Sequence, residues 1–201
     1  NEGTIQNCEN NGYVYGYYAG GIAGQNAGDI IECVNTAFID GTGYNGGIAG
    51  YNNSGEISSC YNTGDINGTT TVGGITGSNT SSASITNCYN TGDINSDTSY
   101  AGGIAGSNTA TIENCYNVGN VDGTSNTGGV AGRRTGLPST VINCYYLNTC
   151  GAAGQGTEIT LAEIEDAGTL LAKLVAGSGD GVWNTTLSAV GTWEYGKPAV
   201  Q

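Results

Sequence analysis

Seven cysteines, a recurring aspartate and a recurring tyrosine are the side chains in this sequence with chemistry to offer; histidine is absent. Zinc sites gather Cys and His at short spacings such as Cys-x-x-Cys. Here six cysteines stand singly at 8, 33, 60, 88, 115 and 144, and the seventh follows at 150. That spacing argues for a column of free interior thiols, with disulfides between neighbouring units or between Cys144 and Cys150 as the competing reading. Without histidine, Ser-His-Asp and Cys-His catalysis are excluded. Paired carboxylates remain, since sugar hydrolysis needs only two of them. Asp65 and Asp93 occupy the same place in the octapeptide CYNTGDIN, written at 60–67 and again at 88–95. One acid per unit reads as turn chemistry. No catalytic residue and no metal site are therefore assigned. The oxygens of Asn-Thr-Gly-Asp-Ile-Asn-Gly leave calcium as the one cofactor still open, although the segment matches neither an EF-hand loop nor a nine-residue calcium repeat.

The tyrosines are the better candidates for a binding surface. Tyr61, Tyr89, Tyr116 and Tyr145 each follow a repeat cysteine directly, and Thr63 and Thr91 stand two places further on. In a strand, successive side chains point to opposite faces. If the cysteines and the asparagines two places beyond them point inward, these tyrosines and threonines form an outward, exposed column. Such a face suits stacking of sugar rings. It equally suits an aromatic ladder that merely stabilises the sheet.

Both readings require an element that superimposes the repeats. Three residues before each cysteine stands an aliphatic: Ile5, Ile30, Ile57, Ile85, Ile112 and Val141. Two residues after come Asn10, Asn35, Asn62, Asn90 and Asn117, with Tyr146 breaking the series. Six after come Val14, Ile39, Ile66, Ile94 and Val121, then Cys150. GGIAG interleaves at 20–24, 46–50 and 102–106, with GGITG at 73–77 and GGVAG at 128–132. A unit of 25 to 29 residues, as the cysteine positions give, cannot bury its own apolar face, but stacked copies can. The expected fold is all-β: a right-handed parallel β-helix of about six coils, three strands per coil, about 25–30 Å long.

Residues 1–150 are assigned to these repeats and 151–201 to a cap. Thr160-Leu161-Ala162-Glu163 is a capping box, followed by helical apolar spacing that predicts a helix over about 160–176 with a stop at Gly177. Trp183 and Trp193 complete the apolar patch. No cap precedes Asn1, so further coils or another domain are expected before it.

Net charge is -13, and no Lys or Arg occurs up to residue 132. Nucleic acid, anionic membranes and polyanionic sugars are poor partners for such a chain. No apolar run is long enough to span a membrane.

The GGIAG element followed by Cys-Tyr-Asn-Thr-Gly-Asp-Ile resembles the GLUG-motif repeats of bacterial surface proteins, and the tail, ending in Gly196-Lys197-Pro198, is similar to the segment that closes such arrays. The resemblance implies an extracellular or surface-attached module, and it supplies no catalytic residues. The expected function is a non-enzymatic, monomeric stalk or adhesin-like rod that meets a host or cell-surface glycan or protein. The alternative is a carbohydrate-binding or carbohydrate-active β-helix using acidic and tyrosine side chains.

Overall fold

The computed structural model describes residues 1–80, 82–134, 140–152, 154–165, 169 and 172–174. The chain winds as a parallel β-solenoid of about five turns. Corresponding strands of successive coils pair in parallel into four sheets that run along the solenoid. In the third coil the first sheet takes Glu56–Ser58 and the second takes Tyr61–Asn62. The third takes Ile66–Gly68 and Thr71–Gly73, and the fourth takes Thr76–Thr80. The fourth sheet has five strands, while a sixth coil supplies only Thr140–Ile142 and Tyr145–Leu147 to the first two sheets. The sequence count of about six coils is thus slightly high.

Three strands per coil is also corrected, and the reason lies in two corners. The residue before each repeat cysteine is left-handed: Asn7, Glu32, Ser59, Asn87, Asn114 and Asn143 all have φ of 50 to 55°. Asparagine tolerates that region better than most residues, which explains its place there in four of the six. The corner divides the Ile-x-x-Cys-x-Asn segment between two sheets. It also lets residues three apart, such as Ile57 and Cys60, both point inward. The second corner is the Gly-Gly pair. A Cβ on Gly103 would lie 2.2 Å from the Gly129 carbonyl oxygen and 2.3 Å from Asn117 Cγ, so only glycine lets that backbone pass.

Register follows the repeat. Ile30 pairs with Ile57, Ile57 with Ile85, and Ile85 with Ile112; all four are fully buried. These isoleucines, the cysteines and the Ile48, Ile75, Ile104 and Val130 of the Gly-Gly motifs form one core. Ile39, Ile66, Ile94 and Val121 form a second core beside it. Each buried isoleucine contributes roughly 1.5–3 kcal/mol. Cys150 departs from register. Its carbonyl accepts from Val121 N–H at 2.7 Å, the place that Asn120 fills for Ile94 one coil earlier, so it sits one residue short of the position expected.

After the last coil, Thr157–Ile159 adds a strand to the second sheet and leads into a helix at Leu161–Glu165. Residues 169 and 172–174 are helical too. The capping box forms: Thr160 Oγ1 accepts from Glu163 N–H at 3.3 Å, and Glu163 Oε2 accepts from Thr160 N–H at 2.8 Å. Gly177, Trp183 and Trp193 lie outside the described residues.

Candidate functional site

The interior columns are built to hold the coils together. Cys33 N–H donates to Cys60 Sγ at 3.3 Å, Cys60 N–H to Cys88 Sγ at 3.4 Å, and Cys88 N–H to Cys115 Sγ at 3.4 Å. Each thiol in turn donates to the carbonyl two residues earlier, as Cys60 does to Ser58 at 3.2 Å. At this corner the cysteine N–H finds a sulfur in the next coil. A buried amide left alone there would cost about 1–3 kcal/mol. All seven cysteines are free thiols, buried except for Cys8. Burial pushes the Cys88, Cys115 and Cys144 thiols well up, which favours the neutral form that these bonds need.

Asparagines form the matching polar column. Asn35 Nδ2 donates to Asn62 Oδ1, and Asn62 to Asn90, both at 2.7 Å; Asn90 donates to Asn117 at 2.8 Å. Each also donates to a turn carbonyl two residues on, Asn62 to Gly64 at 2.7 Å. The ring of Tyr146 takes the next place and packs on Gly129. A second asparagine ladder went unread in the sequence. Asn26, Asn52, Asn79 and Asn108 are fully buried and linked at 2.9, 3.0 and 2.9 Å. Its signal was present, an Asn two places after four of the five Gly-Gly motifs.

The tyrosine column does not present the exposed face expected of it. Tyr61 stacks on Tyr89 at 4.8 Å and Tyr89 on Tyr116 at 5.0 Å, nearly parallel. They do lie outside the solenoid core, in a cluster of their own with Tyr145. Yet Tyr89, Tyr116 and Tyr145 are buried and only Tyr61 is half-exposed, because Ile159, Ile164 and Leu174 of the C-terminal segment pack over the rings. Thr63 is exposed and Thr91 half-exposed. The Thr63 hydroxyl donates at 3.5 Å to the Asn35 carbonyl of the preceding coil. Asp65 and Asp93 are exposed, and each accepts from a backbone N–H in the next coil: Asp65 Oδ1 from Asp93 at 2.9 Å, and Asp93 Oδ1 from Asn120 at 3.0 Å. These bonds tie one coil to the next, where local turn bonds were expected. Among the described residues, no group of three or more His, Cys, Asp and Glu side chains is placed to hold a metal ion.

An exposed aromatic surface exists elsewhere. Tyr17 stands edge-on to Tyr18 at 4.9 Å, Tyr18 stacks on Tyr44 at 5.6 Å, and Tyr44 meets Tyr51 at 5.4 Å. Tyr13 stacks on Phe38 nearby in sequence, at 6.0 Å. Tyr13, Tyr15 and Tyr17 are about 60% exposed. Only an exception to the repeat, the run YVYGYYAG at 13–20, marks this cluster in the sequence, and a search for periodic columns passes over it. Burial and the neighbouring Tyr17, Tyr51 and Tyr18 push the Tyr44 phenol up, against a smaller opposite pull from Arg133.

Superimposed coils, two asparagine ladders and a thiol ladder define a parallel β-solenoid repeat protein. The model of the GLUG motif matches residues 68–95 and 97–122, two adjacent repeats inside the solenoid. The chain therefore contains GLUG-motif repeats, two of them adjacent in the solenoid. No curated protein and no solved structure matches it.

Proposed function

We propose that the chain is a non-enzymatic rod of a bacterial surface protein, a stalk or adhesin-like module working outside the cell. The observation that supports this reading most is the register of the interior ladders, which holds from Cys33 to Cys115 and from Asn35 to Asn117. Successive inner coils repeat the same hydrogen bonds, so this part of the solenoid resists bending. A solenoid of this kind spaces and presents surfaces, and its repeat carboxylates, Asp65 and Asp93, are engaged by backbone N–H groups of the next coil. Host or cell-surface glycans and proteins are its partners, and it needs no cofactor. Small-angle scattering tests the reading: a single rigid, elongated particle supports it, and a flexible chain of beads rejects it. Release of reducing ends from a polysaccharide panel, lost in Asp65→Asn/Asp93→Asn, would replace it with the carbohydrate-active alternative.

A further inference from the structure

Two outward columns run side by side along the rod. The third sheet supplies Tyr18, Tyr44, Thr71 and Tyr100, each pairing with the next. The fourth supplies Tyr51, Ser78, Ser107 and Arg133 in the same way. At one end the columns meet through Tyr44 and Tyr51, 5.4 Å apart. At the other, the Arg133 guanidinium lies 4.9 Å over the Tyr100 ring. Between them, in the third coil, both columns carry small residues. Thr71 and Ser78 are 6% and 3% exposed, so they form a low floor between two aromatic walls. Tyr44 and Tyr100 are two coil steps apart, about 10 Å at the usual strand spacing. That separation admits one ring stacked between the walls.

The floor points to a ligand independently of the rings. Neither the Thr71 nor the Ser78 hydroxyl makes a side-chain hydrogen bond among the described residues, although both residues are more than nine-tenths buried. Among the described residues the sealed, unpartnered polar atoms are Asn45 Oδ1, Asn87 Oδ1 and Gln155 Oε1, and neither hydroxyl is one of them. The two hydroxyls are therefore unspent yet reachable. Buried polar groups usually have partners, and binding sites commonly join aromatic walls to a few such groups. We propose that this track binds a neutral oligosaccharide. Aromatic faces stack on the apolar faces of sugar rings, while phenols and hydroxyls meet the ring hydroxyls. A net charge of -13 disfavours anionic chains. Arg133 is the one cation on the track, and it is held against Tyr100. The proposal rests on the binding form of the rod reading and leaves the spacer form untouched.

The test is titration of the isotope-labelled chain with cellohexaose, laminarihexaose and mannohexaose, with sialyllactose as the acidic probe. The expected result is saturable binding of at least one neutral hexasaccharide, with shifts at Tyr44, Thr71, Ser78 and Tyr100. Affinity should fall at least tenfold in Tyr44→Ala/Tyr51→Ala and severalfold in Thr71→Val, and stay unchanged in Tyr61→Ala. If the double variant misfolds, shift mapping on the native chain still decides: shifts on the second sheet overturn the proposal. So does silence from all three neutral sugars, or a preference for sialyllactose that Arg133→Ala abolishes. Scattering on the same sample keeps the outcomes separate, since a rigid rod that binds no sugar leaves the stalk standing.

Discussion

The first two coils and the last two use the same residues to opposite ends. Tyrosines crowd both regions. In the first they stand in water, Tyr17 at 59% exposed; in the last they are sealed, Tyr116 at 0%. The cysteine column is open at Cys8 and closed at Cys144. The isoleucine column begins with a half-buried Ile5 and runs into fully buried members such as Ile112. Residue type therefore does not decide the role of a column. What lies over it does: Ile159, Ile164 and Leu174 turn one aromatic column into a core, and nothing among the described residues does so for Tyr13, Tyr15 and Tyr17.

The sharpest way to break this contrast is to truncate one tyrosine in each region. Tyr116→Ala removes a fully buried ring and should cost about 3–5 kcal/mol. Tyr17→Ala should stay within about 0.5 kcal/mol of the parent. Urea unfolding followed by circular dichroism measures both. Equal losses would mean that the C-terminal segment does not protect the column. Ile164→Ala tests the lid itself, with an expected loss of about 2 kcal/mol, at the low end for a large-to-small change, and greater quenching of tyrosine fluorescence by acrylamide.

Much of this was legible in the sequence. Positional identity gave the solenoid, because Ile57, Cys60, Asn62 and Ile66 recur at fixed offsets and must superimpose. It also gave the inward asparagine column, since an amide is the side chain that donates to one neighbour and accepts from another. The left-handed corner before each cysteine was less visible, because Glu32 and Ser59 share the site with asparagine and hide its signature. Exposure of the tyrosines was misjudged for a different reason. Strand alternation says on which side of a sheet a residue lies, and is silent about a segment, more than 40 residues beyond Tyr116, that covers that side. The exposed aromatic cluster of the first coils is seeded by the run at 13–20, which departs from the repeat, so periodicity works against finding it.

The thiols sharpen the same contrast at smaller cost. Cys88→Ala removes the sulfur that accepts the Cys60 N–H and should lose about 1–3 kcal/mol. Cys8→Ala, at the exposed end, should lose almost nothing. A thiol reagent should label Cys8 quickly in the native chain and the rest only after denaturation without reductant. Rapid native labelling of several thiols would mean an open column. The pH dependence has a definite sign. Thiols raised in the folded state contribute stability that is fully present below the unfolded value of about 8.5 and is lost as pH rises past it. Alkaline destabilisation should therefore be shallower in Cys88→Ala than in the parent.

The smallest expected effect is on the lid. Hydrogen bonds from the Thr160 backbone and hydroxyl, and then Lys173, hold the Glu163 carboxyl below its ordinary value. A depressed folded value means that its contribution is present above the usual glutamate value of about 4.3 and is lost as pH falls through the folded one. Glu163 is half-exposed, so the change should be a loosening of the Leu161–Glu165 turn without global unfolding. The readout is the near-ultraviolet signal of Tyr116 and Tyr145, which that turn covers through Ile164. On acidification this signal should weaken before the far-ultraviolet β signal does, and Glu163→Gln should start weakened and stay flat over the same range. A parent signal that holds until the whole solenoid melts would show that the lid does not depend on its capping box. The burial of the tyrosine column would then rest on Ile159 and its strand alone.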